Sequence, residues 1–142
     1  MRNRKLYVGM LAMVLAFGMV VIGCPSDPDY DSALNGTWLG SYGSEIRLNN
    51  GSFTVFESGI PYVRGTYTTS GNTFTMTITH IHGNFFVGLL ASRWYTRTEL
   101  QASVIGALVG ADEIDELFAP QTSTYSLSGN TLTIDGQMYT KQ

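Results

Sequence analysis

The sequence has little charge and almost no cysteine. Charged residues make up 13% of the 142 residues, and Cys24 is the one cysteine. A single cysteine excludes an intramolecular disulfide, so the fold depends on its own hydrophobic core. From Cys24 onward five scattered basic residues accompany eleven acidic ones. This balance excludes the basic surface that binding to a nucleic acid requires.

The first 23 residues differ from the rest of the chain in charge and in hydropathy. Arg2, Arg4 and Lys5 precede a run of 17 residues, 6–22, that carries no charge. A basic start followed by an apolar run is typical of a signal peptide. This run is slightly shorter than the roughly 20 residues that a membrane-spanning helix needs. The alternative is an uncleaved membrane anchor in which Cys24 is an ordinary thiol.

The apolar run ends in Val-Val-Ile-Gly-Cys at 20–24, which resembles the lipobox of bacterial lipoprotein precursors. The resemblance implies that Cys24 is lipidated, with fatty acyl chains such as palmitate, and becomes the first residue once 1–23 are removed. Two or more acyl chains are enough to hold a protein at a membrane. Pro25 stands where some lipoproteins carry the aspartate that retains them in the inner membrane, so we expect the outer membrane of the cell envelope.

Residues 24–33 and 34–142 are expected to form two different regions. The first contains two prolines and three aspartates, a composition that predicts an extended acidic stalk. The second alternates threonine with apolar residues, most clearly at 73–79, where Phe74, Met76 and Ile78 share one face. This period of two predicts β-strands that bury one face.

Turn signals divide this region into eight predicted strands, which are 36–42, 44–48, 52–58, 61–69, 73–82, 121–128, 131–135 and 138–141. Asn-Gly at 50–51 and Asp-Gly at 135–136 predict type I′ hairpins. Across the first of these turns Leu48 would oppose Phe53, and Ile46 would oppose Val55. Short connections predict an antiparallel up-and-down β-barrel, with an open sheet covered by a helix as the alternative.

A segment without this alternation, at about 97–118, predicts an inserted helix or helical pair. Thr96 and Glu99 have the spacing of a capping box, and Leu100, Val104 and Leu108 form an apolar stripe on a helix over about 97–109. Gly110 would end that helix. Asp112 would cap a second helix that carries Ile114, Leu117 and Phe118.

Two features of residues 34–142 resemble the small lipocalin-like domains of bacterial envelope lipoproteins. One is Gly-Thr-Trp at 36–38, which matches the Gly-x-Trp near the first lipocalin strand. The other is the hairpin pattern Thr-Tyr-x-x-Ser-Gly-Asn-Thr, which occurs at 66–73 and again at 124–131. The resemblance implies that Trp38 packs across the closed end of the barrel. Lys141 is the basic residue nearest to the position of the arginine that lipocalins place over this tryptophan.

Side chains that could carry catalysis or bind a metal are few. His80 and His82 could point the same way as Ile78 and share a metal with Glu57 or Asp135, but a metal site needs three or more ligands and no third is supplied nearby in the sequence. The acidic residues at 112–116 suit a helix start. Trp94 and Tyr95 could form a platform for an aromatic or sugar ligand, or a wedge between helix and barrel. We therefore expect no enzyme, no metal and no cofactor.

Two functions remain open for a membrane-anchored barrel of this size. Its interior could enclose a small apolar ligand, and the residues that would line it are Trp38, Tyr67, Phe74, Met76, Tyr125 and Leu132. Alternatively the same residues fill the core, and the outer surface acts as a structural or protein-interaction module whose partner the sequence does not identify.

Overall fold

The computed structural model of the protein describes residues 30–142. The nine strands are β1 (Gly36–Leu39), β2 (Ser44–Asn49), β3 (Ser52–Glu57), β4 (Ile60–Ser70), β5 (Thr73–His82), β6 (Trp94–Tyr95), β7 (Gln121–Ser128), β8 (Thr131–Ile134) and β9 (Gln137–Lys141). The α-helices are α1 (Arg97–Gln101), α2 (Val104–Val109) and α3 (Ala111–Phe118). Short 3₁₀ helices cover Ser32–Leu34, Ser41–Gly43 and Gly83–Phe86.

Eight of the strands form a closed antiparallel barrel. Strands that are consecutive in the chain pair with one another from β1 to β5. β5 then pairs with β7, β7 with β8, and β8 with β9. The barrel closes where Lys141 of β9 pairs with Trp38 of β1. The fold class predicted from the sequence, a mainly β lipocalin-like barrel with an inserted helical segment, is therefore confirmed. The two-residue strand β6, which was not predicted, lies outside this circle and pairs with the last two residues of β5.

The hairpins have the predicted registers and turns. Ile46 pairs with Val55 and Leu48 with Phe53, so both strands place their apolar residues on the inner face. Asn50 and Gly51 have φ angles of 46° and 79°, as a type I′ turn requires at its two central positions. Asp135 and Gly136, with 46° and 83°, repeat this geometry.

A bulge changes the inward face of β5. Arg64 pairs with His80 and Gly65 pairs with Ile78, which leaves Thr79 as the extra residue. A bulge of this kind interrupts the period of two. Ile81 therefore follows Ile78 into the hydrophobic core, and His80 does not continue the face of Phe74, Met76 and Ile78.

The helical segment differs from its prediction in one important respect. The expected helix over 97–109 is broken at 102–103, where the Ser103 hydroxyl accepts a hydrogen bond from the backbone N–H of Ile105 at 3.1 Å. This bond starts α2 in a new orientation, so Ile105 is buried. Val104 and Leu108, which the predicted stripe would bury together with Leu100, are exposed instead.

The last helix begins earlier than predicted. Gly110, at a φ of 95°, ends α2 and also precedes α3. Asp112 therefore lies inside the first turn of α3 and is not its cap. Ile114 is buried, and Leu117 and Phe118 pack beside it, as the apolar spacing of that helix predicts.

Candidate functional site

All six residues predicted to line a ligand site belong to one core inside the barrel. Trp38, Tyr67, Phe74 and Leu132 are buried, and Met76 and Tyr125 are partly buried against them. The sequence pattern thus predicted which side chains point inward.

These interior side chains contact one another. The rings of Tyr67 and Phe74 stack with centroids 5.0 Å apart and an interplanar angle of 19°. Tyr125 meets Phe74 edge to face at 6.0 Å. Such aromatic contacts are favourable beyond the burial of area alone. Trp38, Phe74 and Leu132 have no accessible surface at all, so no space large enough for a water molecule adjoins these side chains.

One end of the barrel is closed by the residues that precede β1. The indole Nε1 of Trp38 donates a hydrogen bond of 2.7 Å to the carbonyl of Leu34, and both residues are completely buried. The backbone N–H of Asp31 donates to the Thr69 hydroxyl at 2.8 Å. Lys141 lies over the Trp38 ring, with Nζ 5.2 Å from the centroid. This end is the one at which β2 turns into β3 and β4 turns into β5.

The predicted lipidation site, Cys24, lies outside the described residues, as do the signal peptide and residues 24–29 of the predicted stalk. Tyr30, the first described residue, rests edge to face on Tyr67 at 6.3 Å. Five residues, 25–29, therefore separate Cys24 from Tyr30. Between residues 30 and 142, no helix has both the length and the hydropathy to cross a bilayer.

A second core lies where the helices meet the opposite end of the barrel. Its buried residues are Ile81, Tyr95, Leu100, Ile105 and Ile114. Tyr95 is the wedge between helix and barrel that was one of its two predicted roles, and its ring also carries the Arg93 guanidinium at 3.8 Å. This core fixes the helical segment to the end of β5.

A polar aromatic cluster lies beside this core on β4, β5 and β6. The guanidinium of Arg64 covers the face of Trp94 at 4.6 Å, and His82 meets the same ring edge to face at 5.0 Å. The Nδ1 of His82 accepts a hydrogen bond from the backbone N–H of Asn84 at 3.3 Å. Arg64 therefore occupies one of the two faces of Trp94 on which a sugar or aromatic ligand could stack.

Burial lowers the pKa of both histidines, and the Arg64 charge adds to this effect at His80. Both imidazoles therefore favour the neutral form. Within the described residues, no three His, Cys, Asp or Glu side chains lie close enough together to hold a metal ion.

A surface pocket of about 210 Å³ lies where β7 and β8 meet the β4–β5 turn, beside Tyr125 and Asp135. The Asp135 carboxylate already accepts hydrogen bonds from the backbone N–H of Thr124 at 2.8 Å and from its hydroxyl at 3.2 Å. Pockets for small organic ligands usually measure 300 Å³ or more. We therefore assign the Asp135 carboxylate a structural role, in which it joins the end of β8 to Thr124 on β7.

The feature that sequence reasoning missed is the outer face of α2. Val104, Leu108 and Val109 have exposed fractions of 49%, 57% and 41%. The signal that could have found it is the absence of any charged residue from Val104–Val109, since a surface helix ordinarily carries polar residues on its outer side.

The chain matches no known protein family, no curated protein and no solved structure. The function proposed below therefore depends on the residues and their geometry.

Proposed function

We propose that this protein is a bacterial envelope lipoprotein, anchored at Cys24, whose filled barrel acts through its outer surface as a structural or protein-interaction module. The observation that supports a filled barrel is that Trp38, Phe74 and Leu132 have no accessible surface. A ligand in the interior would have to displace side chains that already pack against one another. The predicted small apolar ligand is the second candidate, and the experiment below decides between them.

The anchor is supported by the lipobox-like sequence that ends at Cys24. Replacing Cys24 with Ala removes the thiol that would be acylated. We expect the C24A protein to leave the membrane fraction, whereas Ser26→Ala, a matched change two residues away, should leave the protein anchored. Retention of C24A in membranes would overturn the proposed anchor. Acyl chains on Cys24 should also appear as added covalent mass on the mature polypeptide.

Native mass spectrometry of the detergent-extracted protein separates a filled barrel from a carrier. For a filled barrel we expect the mass of the polypeptide with its covalent acyl chains, the same before and after unfolding. A reproducible extra mass that is lost on unfolding would establish a ligand and contradict the filled barrel. Leu132→Ala, which removes interior volume, provides a positive control because small apolar molecules enter such cavities.

A further inference from the structure

We propose that α2 and α3 together form a docking surface for a partner protein that presents an apolar segment carrying basic residues. This inference rests on the proposed function, because the membrane anchor determines which end of the barrel is free. The docking surface is defined by Val104, Leu108 and Val109 on α2 and by Asp112, Glu113 and Glu116 on α3.

In the described part of the chain, no segment of the barrel covers the three apolar side chains of this surface. The break at 102–103 turns Ile105 inward and leaves the rest of α2 outward, so an entirely apolar helix is buried on one side only. A helix that is apolar all round is normally covered on every side, and contiguous exposed apolar residues mark interaction sites. A second molecule that lies on α2 would bury these exposed side chains.

The acidic part indicates the charge of that molecule. Asp115 is occupied, since its Oδ1 accepts hydrogen bonds from Arg97 and from Gln101, each at 2.6 Å. Among residues 30–142, Asp112, Glu113 and Glu116 form no ion pair, and all three are exposed. Opposite charge across an interface steers partners together and disfavours wrong ones. A basic partner therefore fits this surface.

The same charges disfavour two other occupants. A second copy of the chain would bring the acidic residues of α3 against one another, and an anionic lipid surface would repel them. A partner protein with lysine or arginine beside apolar residues satisfies both parts of the surface.

The tether places the docking surface away from the membrane. The six steps of the chain from Cys24 to Tyr30 reach at most about 22 Å. Tyr30 lies at the end of the barrel that Leu34 and Trp38 close. The ten residues of β5 span about 33 Å from that end to His82, where the helical segment begins. The free end of the barrel is thus the end that carries α2 and α3.

The test uses the full chain in the membranes of its native host, with a photo-cross-linking amino acid at Leu108 and, as a matched control, at Met138. Both positions are exposed, but Met138 lies on the barrel wall. We expect Leu108 to form a discrete adduct with one protein, whose cross-linked peptide is apolar and contains lysine or arginine. We expect no such adduct from Met138.

A charge variant makes the test sharper. Asp112→Asn, Glu113→Gln and Glu116→Gln together should lower the yield of the Leu108 adduct about tenfold, the size of a modest steering effect. Because all three side chains are exposed, the variant should fold, with a melting temperature lowered only slightly by the loss of negative charge at the start of α3. An adduct with lipid or with a second copy, no adduct, or an adduct insensitive to the charge change would overturn the docking proposal.

The same cells also test the proposed function separately. Protein in the membrane fraction without the expected adduct refutes the docking surface and leaves the lipoprotein proposal intact. Protein that is soluble although Cys24 is present refutes the anchor, whatever the Leu108 position contacts.

Discussion

Trp38 and Leu34 are joined by a hydrogen bond from the indole Nε1 to a backbone carbonyl, 2.7 Å long and completely enclosed. The bond ties the turn that precedes the barrel to the first strand. A buried carbonyl without a partner is costly, so this one contact couples the closure of the barrel end to the identity of residue 38.

Replacing Trp38 with Phe keeps an aromatic ring but removes the donor. We expect the free energy of unfolding to fall by at least about 1–3 kcal/mol, because the Leu34 carbonyl stays buried without a partner and the smaller ring leaves a cavity in the core. Urea denaturation followed by far-ultraviolet circular dichroism measures this loss. Trp94→Phe is the matched control, and it should cost about 1 kcal/mol or less because a phenyl ring weakens the contacts with Arg64 and His82 without leaving a buried group unpartnered. Equal losses in the two variants would contradict the role of the Leu34 bond.

Gly65 lies at the bulge, where β4 and β5 approach closely. A Cβ at this position would overlap the carbonyl oxygen of Thr77 and lie 2.9 Å from the Cα of Ile78. Gly65→Ala should therefore lower the free energy of unfolding by about 3 kcal/mol, the upper range for overpacking.

A substitution at Gly71 is the matched control, because it strains the backbone without the steric overlap expected at Gly65. Its φ is +58°, and a Cβ there would meet nothing within 4 Å. Gly71→Ala should cost only about 1–2 kcal/mol, the penalty of a left-handed backbone. Thermal or urea unfolding of the two variants side by side tests the difference, and a smaller loss for Gly65→Ala would show that the bulge yields.

The elements that could be predicted from the sequence are those that local pattern determines. The Asn50-Gly51 turn fixes the pairing of Leu48 with Phe53, and the alternation around Phe74 fixes the inner face of β5 as far as Ile78. The capping box at Thr96 also formed as its spacing predicts, with the Thr96 hydroxyl and the Glu99 carboxylate each accepting the other residue's backbone N–H.

The features that could not be predicted depend on residues distant in sequence or on competing local bonds. The bulge at Thr79 lies beside Gly65 of the neighbouring strand, where a Cβ would overlap the carbonyl oxygen of Thr77. The break in the helix depends on the Ser103 hydroxyl, which bonds the N–H of Ile105 although the spacing of Leu100, Val104 and Leu108 suits a continuous stripe. The exposed face of α2 follows from that break, so the periodicity of the apolar residues could not predict the proposed docking surface.

Glu99 makes the stability of the protein depend on acid pH. Hydrogen bonds from the Thr96 backbone, from Arg93 and from the Thr96 hydroxyl lower its pKa from 4.5 to about 2. A depressed carboxyl pKa stabilises the fold above the unfolded value, and the contribution is lost as the pH falls through the folded one. We therefore expect the melting temperature to fall between about pH 5 and pH 2, and Glu99→Gln to reduce that fall.

Arg93→Gln distinguishes the two kinds of partner that Glu99 has. The Thr96 backbone bond of 2.8 Å remains in this variant, while the Arg93 bond of 2.9 Å is lost. The variant should keep part of the pH dependence that Glu99→Gln removes. A profile identical to that of Glu99→Gln would mean that Arg93 alone causes the shift.

His82 should contribute a second pH dependence, near neutrality. Burial lowers its pKa below 6.5, so the folded protein resists a proton that the unfolded chain accepts. Stability is therefore full above about pH 6.5 and decreases as the pH falls toward the lowered value. His82→Asn keeps an acceptor for the Asn84 N–H and should reduce the change of the melting temperature between pH 7 and pH 5.

His80, the other of the two histidines, has a pKa lowered in the same direction. In a double variant, His80→Asn should therefore remove the pH dependence that remains after His82→Asn. A slope that survives in the double variant would assign this pH dependence to groups other than the imidazoles.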